Sequence, residues 1–193
     1  MLNKDFLLKN IKRNLTGIDN NLAMQYLLWL DKKTKYFKDS VLKNGYGLQP
    51  DNLTRGDIVW VDFGINVGNE LSDIFTKGHY ALVWQVDLGN VVVIPLTSRN
   101  SYNSPLCLNL GIINGLNDKE YTISYLKLDA IRSISKRRIE RIPNTLNGKI
   151  KLSNEKIKMI KKHIYTYFIE DNYKMYTSNL EILNYIAYHI ENG

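Results

Sequence analysis

Cysteine is nearly absent. Cys107 is the one thiol in 193 residues, which excludes an internal disulfide and any zinc site built on cysteine pairs. No stretch approaches the roughly 18 consecutive apolar residues of a membrane span. The opening MLNKDFLLKNIKRN brings charged and polar residues too early for a secretory leader, so a cytoplasmic protein without a membrane partner is expected. Chemical signatures are missing too. No Gly-rich phosphate loop runs into Lys-Ser or Lys-Thr, and no paired-glycine dinucleotide fingerprint occurs. Gly-x-Ser-x-Gly is absent, and His79, His163 and His189 lack metal-ligand spacing. Neither a metal nor a cofactor is expected.

What the chain does have is positive charge. Lys and Arg total 26 against 19 Asp and Glu, a net charge of +7. That surplus suits an anionic partner, nucleic acid foremost, because phosphate contacts release counterions. A lysine-rich solvated surface gives the same count, so charge names a partner class and no chemistry. The length allows one sizeable core with appendages.

The first 52 residues read as helical. Phe6, Leu7, Ile11 and Leu15 recur at helical spacing, and Asp19 is placed to cap a second helix. That helix carries a stripe of Ala23, Leu27, Leu30, Phe37 and Val41, expected to dock on the rest of the chain, with Lys32, Lys33, Lys35 and Lys38 mostly outward. Tyr26, Trp29 and Tyr36 widen the apolar surface, making a second face a candidate for burial. Asn44-Gly45 ends the helix, and a Gly- and Pro-containing linker follows.

Residues 55–98 change character. Residues 57–63 alternate, with Ile58 and Trp60 on one face and Val59, Val61 and Phe63 on the other. Residues 80–86 and 91–96 are two more strand-like runs joined by Asp87-Leu88-Gly89-Asn90, a hairpin turn. Between the first two strands lies a loop long enough to house a site. Further strands are predicted over 106–112, 122–128 and 130–134, then a basic run, Lys136-Arg137-Arg138. Lys127 and Asp129 share one strand face about 7 Å apart, which reads locally as a solvated ion pair. Ser153 caps a helix whose inner face is Ile157, Ile160, Ile164 and Phe168, and a last helix is predicted over 178–190. Short strands with one packed helix make an α+β protein built on a small open barrel.

The blocks RGDIVWVDFG, GNE, GHYALVWQ and VVVIPLTS, followed by LKLDAIRSISKRRIERIP, resemble the MazF/PemK toxins of type II toxin–antitoxin systems, in the Kid-like branch. The resemblance spans about residues 53–170 and implies a small, strongly twisted SH3-like barrel with a C-terminal helix, usually a homodimer. Residues 1–52 would then be a helical N-terminal extension and 171–193 an added C-terminal helix. The implied activity is metal-independent, sequence-specific cleavage of single-stranded RNA, in which the ribose 2′-OH attacks the adjacent phosphate. The implied protein partner is a cognate antitoxin with an acidic, partly disordered tail.

Carried over residue by residue, the resemblance places Glu70 on the family's loop carboxylate and Thr97 on the Thr that touches the scissile phosphate. Asp129 falls on the carboxylate that the Kid branch uses as its base. Lys127 replaces a catalytic Arg, and His79-Tyr80 stands where most members have Arg-Pro. Neither replacement reproduces the bidentate arginine fork, yet an imidazole exchanges protons near neutrality. Asn69, Lys77, Ser98, Arg99, Lys136, Arg137 and Arg138 are the RNA-binding candidates, with Arg132 expected either to pair with a carboxylate inside the barrel or to support Asp129 from behind. Arg55-Gly56-Asp57 reads as structural. The competing expectation is a non-catalytic module on the same barrel that binds nucleic acid or a protein, as the related CcdB toxins trap gyrase.

Overall fold

Two helices, α1 (Lys4–Asn14) and α2 (Asn20–Val41), lead the chain. Asp19 caps α2: its carboxylate accepts from the N–H groups of Asn21 and Leu22, donors that a first helical turn leaves without partners. The computed structural model describes residues 3–67, 78–100, 104–116 and 121–170. The helix expected over 178–190 lies outside these residues.

The strands are β1 (Asp57–Val61), β2 (His79–Val86), β3 (Asn90–Thr97), β4 (Cys107–Ile112), β5 (Ile123–Lys127), β6 (Arg132–Ser135), β7 (Ile139–Glu140) and β8 (Ile150–Lys151), followed by α3 (Asn154–Ile164). Every pairing among them is antiparallel, in the order β4-β5-β3-β2-β1-β7, with β6 also on β3 and β8 also on β1. Among the described residues no ladder joins β4 to β7, so the sheet is open where a barrel was expected. The α+β class stands.

One edge of β3 serves two partners. Asn90 to Val93 pair with β6, and Leu96 and Thr97 pair with β5. Between them comes Pro95, which has no N–H to give a ladder. There the neighbouring chain leaves the sheet as a 3-10 turn, Leu128–Ala130. That turn carries Asp129.

Alternation along the strands builds two cores. Ile58, Leu82, Ile94 and Leu126 face α3, where Ile160 is fully buried and Ile157 and Ile164 pack alongside. Val59, Val61, Phe63, Ala81, Val83, Val91 and Val93 make the core on the other face. Phe168, expected beside Ile164, is exposed. After α3 the chain enters a wider π turn, Tyr165–Ile169, which rotates it off the helix's inner face.

The docking of α2 differs from expectation. Phe37 and Val41 of the predicted stripe are 70% and 61% exposed, while Gln25 and Trp29 are buried. Gln25, Trp29, Lys32 and Tyr36 follow one another at helical spacing on nearly the opposite side. Lys32, expected outward, ion-pairs with Asp62 and reaches Glu140 at 3.6 Å. The Tyr36 hydroxyl donates to Asp62 at 3.1 Å. The reason lies in the surface that α2 meets. Asp62 is only 7% exposed, and a carboxylate so withdrawn from water needs a cation and donors more than it needs leucine.

This joint is sensitive to alkali. Burial and the charge on Asp62 push the Tyr36 phenol up to about 12. For Lys32, desolvation alone would lower the ammonium's pKa, but the bond to Asp62 and its charge outweigh that and raise it. Groups raised on folding stabilise fully below their unfolded values, about pH 10 for both, and lose that contribution as pH climbs through the folded ones. A red shift of tryptophan emission is therefore expected above about pH 10, with a smaller amplitude in Trp29→Phe. An identical titration of that variant would contradict it.

Candidate active site

The site is built where β2 begins and β3 ends. His79 opens β2 opposite Val61, and Ala81 pairs with Pro95. Extending that register by one side-chain repeat sets His79 across from Thr97. Thr97 in turn pairs with Tyr125, and Lys127, two residues further along β5, points to the same face. Arg132 pairs with Val93 and belongs to that face as well. His79, Thr97, Lys127 and Arg132 are thus drawn from four strands onto one side of the sheet.

Phe63 lies between two of them. Its fully buried ring is 6.5 Å, edge to face, from the His79 ring, and the Arg132 guanidinium sits 5.4 Å above it. Cation–π attraction at this separation holds the guanidinium over the ring. Arg132 also donates through Nε to the Ala130 carbonyl at 3.3 Å, so it braces the 3-10 turn that bears Asp129. Asp129 itself pairs with Lys127 at 3.3 Å. The pair that local sequence reading took as solvated stands next to Thr97's strand. The Thr97 hydroxyl accepts from the Arg99 N–H at 3.1 Å, which leaves its own hydrogen to be given elsewhere.

Two glycines, Gly64 and Gly78, sit where neighbouring groups come too close for a side chain. Gly64 has φ +69°, and a Cβ there would come within 2.1 Å of the Trp29 ring. At Gly78 a Cβ would meet Trp60 Nε1 at 2.5 Å and the Val61 carbonyl at 2.6 Å. Only glycine tolerates either approach. Glu70, Asn69 and Lys77 fall within residues 68–77 and lie outside the described residues.

The basic run goes elsewhere. Ser135 pairs with Asn90, at the far end of β3 from Thr97. There Lys136 Nζ donates to the Leu88 carbonyl at 3.0 Å. Arg137 donates to the Gly45 and Asn44 carbonyls at 3.1 and 2.6 Å and stacks on Tyr46. Arg138 stacks on Trp29. Lys136 thus ties β6 to the β2–β3 turn, while Arg137 and Arg138 fasten the N-terminal segment to the sheet. Ser98 and Arg99 are exposed beside Thr97. Arg55 donates to the Trp84 carbonyl and to Gln85, and Asp57 is a buried anchor, so that triplet is structural. Among the described residues no three His, Cys, Asp or Glu side chains gather as a metal site, and no helix is long and apolar enough to cross a membrane.

Phe63 and Asp62 were given no site role from sequence, and Trp29 entered only as one of three aromatics widening the apolar surface of α2. A glycine directly after an Asp-Phe strand end was the available signal for a close approach there.

The arrangement is that of a small antiparallel sheet with a polar face at its strand ends and a packed C-terminal helix. A family model described as the PemK-like, MazF-like toxin of type II toxin–antitoxin systems matches residues 54–168. The chain belongs to this family of toxins, whose systems pair each toxin with an antitoxin. No curated protein matches the chain.

Proposed function

We propose that this toxin is a metal-independent, sequence-specific endoribonuclease acting on single-stranded RNA. The observation that carries the reading is the family match across residues 54–168, joined to the gathering of His79, Thr97 and Lys127 on one face with Asp129 against Lys127. In the reaction the 2′-oxygen bonds to phosphorus, the bond from phosphorus to the 5′-oxygen breaks, and the products are a 2′,3′-cyclic phosphate and a 5′-hydroxyl. Asp129 takes the proton from the 2′-OH, and His79 returns one to the leaving oxygen or contacts the phosphate. Lys127 and Thr97 supply charge and a hydrogen bond to the phosphorane. Glu70 joins the catalytic set in this reading, and Asn69, Lys77, Ser98 and Arg99 are its RNA contacts; Lys136, Arg137 and Arg138, expected among them, are instead engaged at the far end of β3.

The same reading makes the protein a cytoplasmic homodimer restrained by an antitoxin with an acidic tail. It divides the chain into an extension (1–52), a barrel unit (53–170) and a C-terminal helix (171–193). His79 and Lys127, standing in for arginines, favour the second reading, a module that binds RNA or a protein without cutting. Incubation with long single-stranded RNA in EDTA separates the two. Discrete fragments ending in 2′,3′-cyclic phosphate are expected. Intact RNA that binds with a steep salt dependence would instead establish the module.

A further inference from the structure

The end of β1 is held from outside the sheet. Of three successive residues, Asp62 receives Lys32 and Tyr36, and Gly64 lies flat under Trp29. Phe63, between them, points the other way, to His79 and Arg132. The Asp62 N–H donates to the Arg138 carbonyl at 2.9 Å, and the Arg138 guanidinium stacks on Trp29 at 5.0 Å. Trp29 is buried, yet it belongs to neither sheet core. Contacts from α2 thus fall on both sequence neighbours of Phe63.

We propose that Trp29, Lys32 and Tyr36 are positioning residues for the candidate site: by fixing Asp62 and Gly64 they set the Phe63 ring against which His79 and Arg132 are placed. The kinetic consequence rests on the ribonuclease reading; the placement of His79 does not. Without the grip, the strand end after Val61 runs into a left-handed glycine, Gly64 at φ +69°, and loses its fixed direction. Reacting groups tolerate such loosening poorly, because a displacement of about 1 Å costs on the order of 100-fold in rate.

The test uses the full chain with Trp29→Ala, Trp29→Phe, the pair Lys32→Met/Tyr36→Phe, and Phe37→Ser on the opposite face of α2. Trp29→Ala and the pair are expected to lower kcat by about 10- to 100-fold while KM moves by less than about twofold. Trp29→Phe should recover most of the loss, and Phe37→Ser should cleave as the parent does. In proton NMR the His79 Hε1 resonance, which feels the Phe63 ring, should shift in Trp29→Ala and in the pair but not in Phe37→Ser. Should Trp29→Ala not fold, the pair, which keeps the tryptophan, carries the test. Folded variants with parental kcat and an unmoved His79 signal would overturn the proposal. A parent protein that leaves RNA intact defeats the ribonuclease reading alone. The His79 signal then decides positioning, a shift supporting it and none refuting it.

Discussion

Replacing His79 with alanine is expected to slow RNA cleavage by about 100- to 10,000-fold, the range for loss of a proton-transferring side chain. His79 is only half-buried at the start of its strand, and the neighbouring Tyr80 keeps its edge contact with Trp60 at 4.9 Å, so the variant should fold as the parent does. What it loses is the imidazole held against Phe63 at 6.5 Å and aligned with Thr97 across β2 and β3. His79→Arg adds a second reading of the same position. The guanidinium restores a forked phosphate contact, so that variant should bind RNA more tightly than the alanine form. Cleavage by His79→Ala within about twofold of the parent would remove His79 from the chemistry.

The second large effect concerns stability. Asp57 is 1% exposed, and its carboxylate accepts from the Thr54 N–H at 2.7 Å, Lys149 at 2.9 Å and Lys151 at 3.0 Å. Through it β1 is tied to β8. Asp57→Asn leaves two ammonium groups facing an uncharged side chain, but Lys151 is 59% exposed and both lysines keep carbonyl acceptors, so the cost is about 1–3 kcal/mol. For a chain of this size that is a fall in Tm on the order of 5 °C. A change of less than about 2 °C would mean that the lysines find other partners. Acid should narrow the gap. Burial alone would raise the Asp57 carboxyl, but hydrogen bonds from Lys149, the Thr54 N–H and Lys151 outweigh it and hold the group below its ordinary value. Its contribution is therefore complete above about pH 4 and disappears as pH falls through the depressed folded value. The asparagine form has nothing to lose there.

The strands were legible because their period-two runs are long and rich in Val and Ile, and the Asp87–Asn90 turn closes where Gly89 and Asn90 indicated, with the Asp87 N–H on the Asn90 carbonyl at 2.9 Å. The break at Pro95 was not, since a ladder's interruption depends on which edge is paired. The face of α2 was misread for a related reason. Periodicity locates the most apolar stripe, whereas docking follows the partner surface, and Asp62 with Glu140 called for Lys32 and Tyr36. At the candidate site the family blocks supplied His79, Thr97, Lys127 and Asp129. The ring joining His79 to Arg132 required three dimensions, because Phe63 in sequence is one more apolar strand residue.

Arg138 on Trp29 and Glu140 near Lys32 also set an order of events during synthesis. Chains leave the ribosome N-terminus first, so α2 meets Asp62 and Gly64 soon after they emerge. Its seat is complete only when the polypeptide has grown past residue 140, bringing Arg138 and Glu140. The long helix made early is thus among the last elements to be fully seated, and a half-synthesised toxin lacks part of the grip on the strand end that carries Phe63.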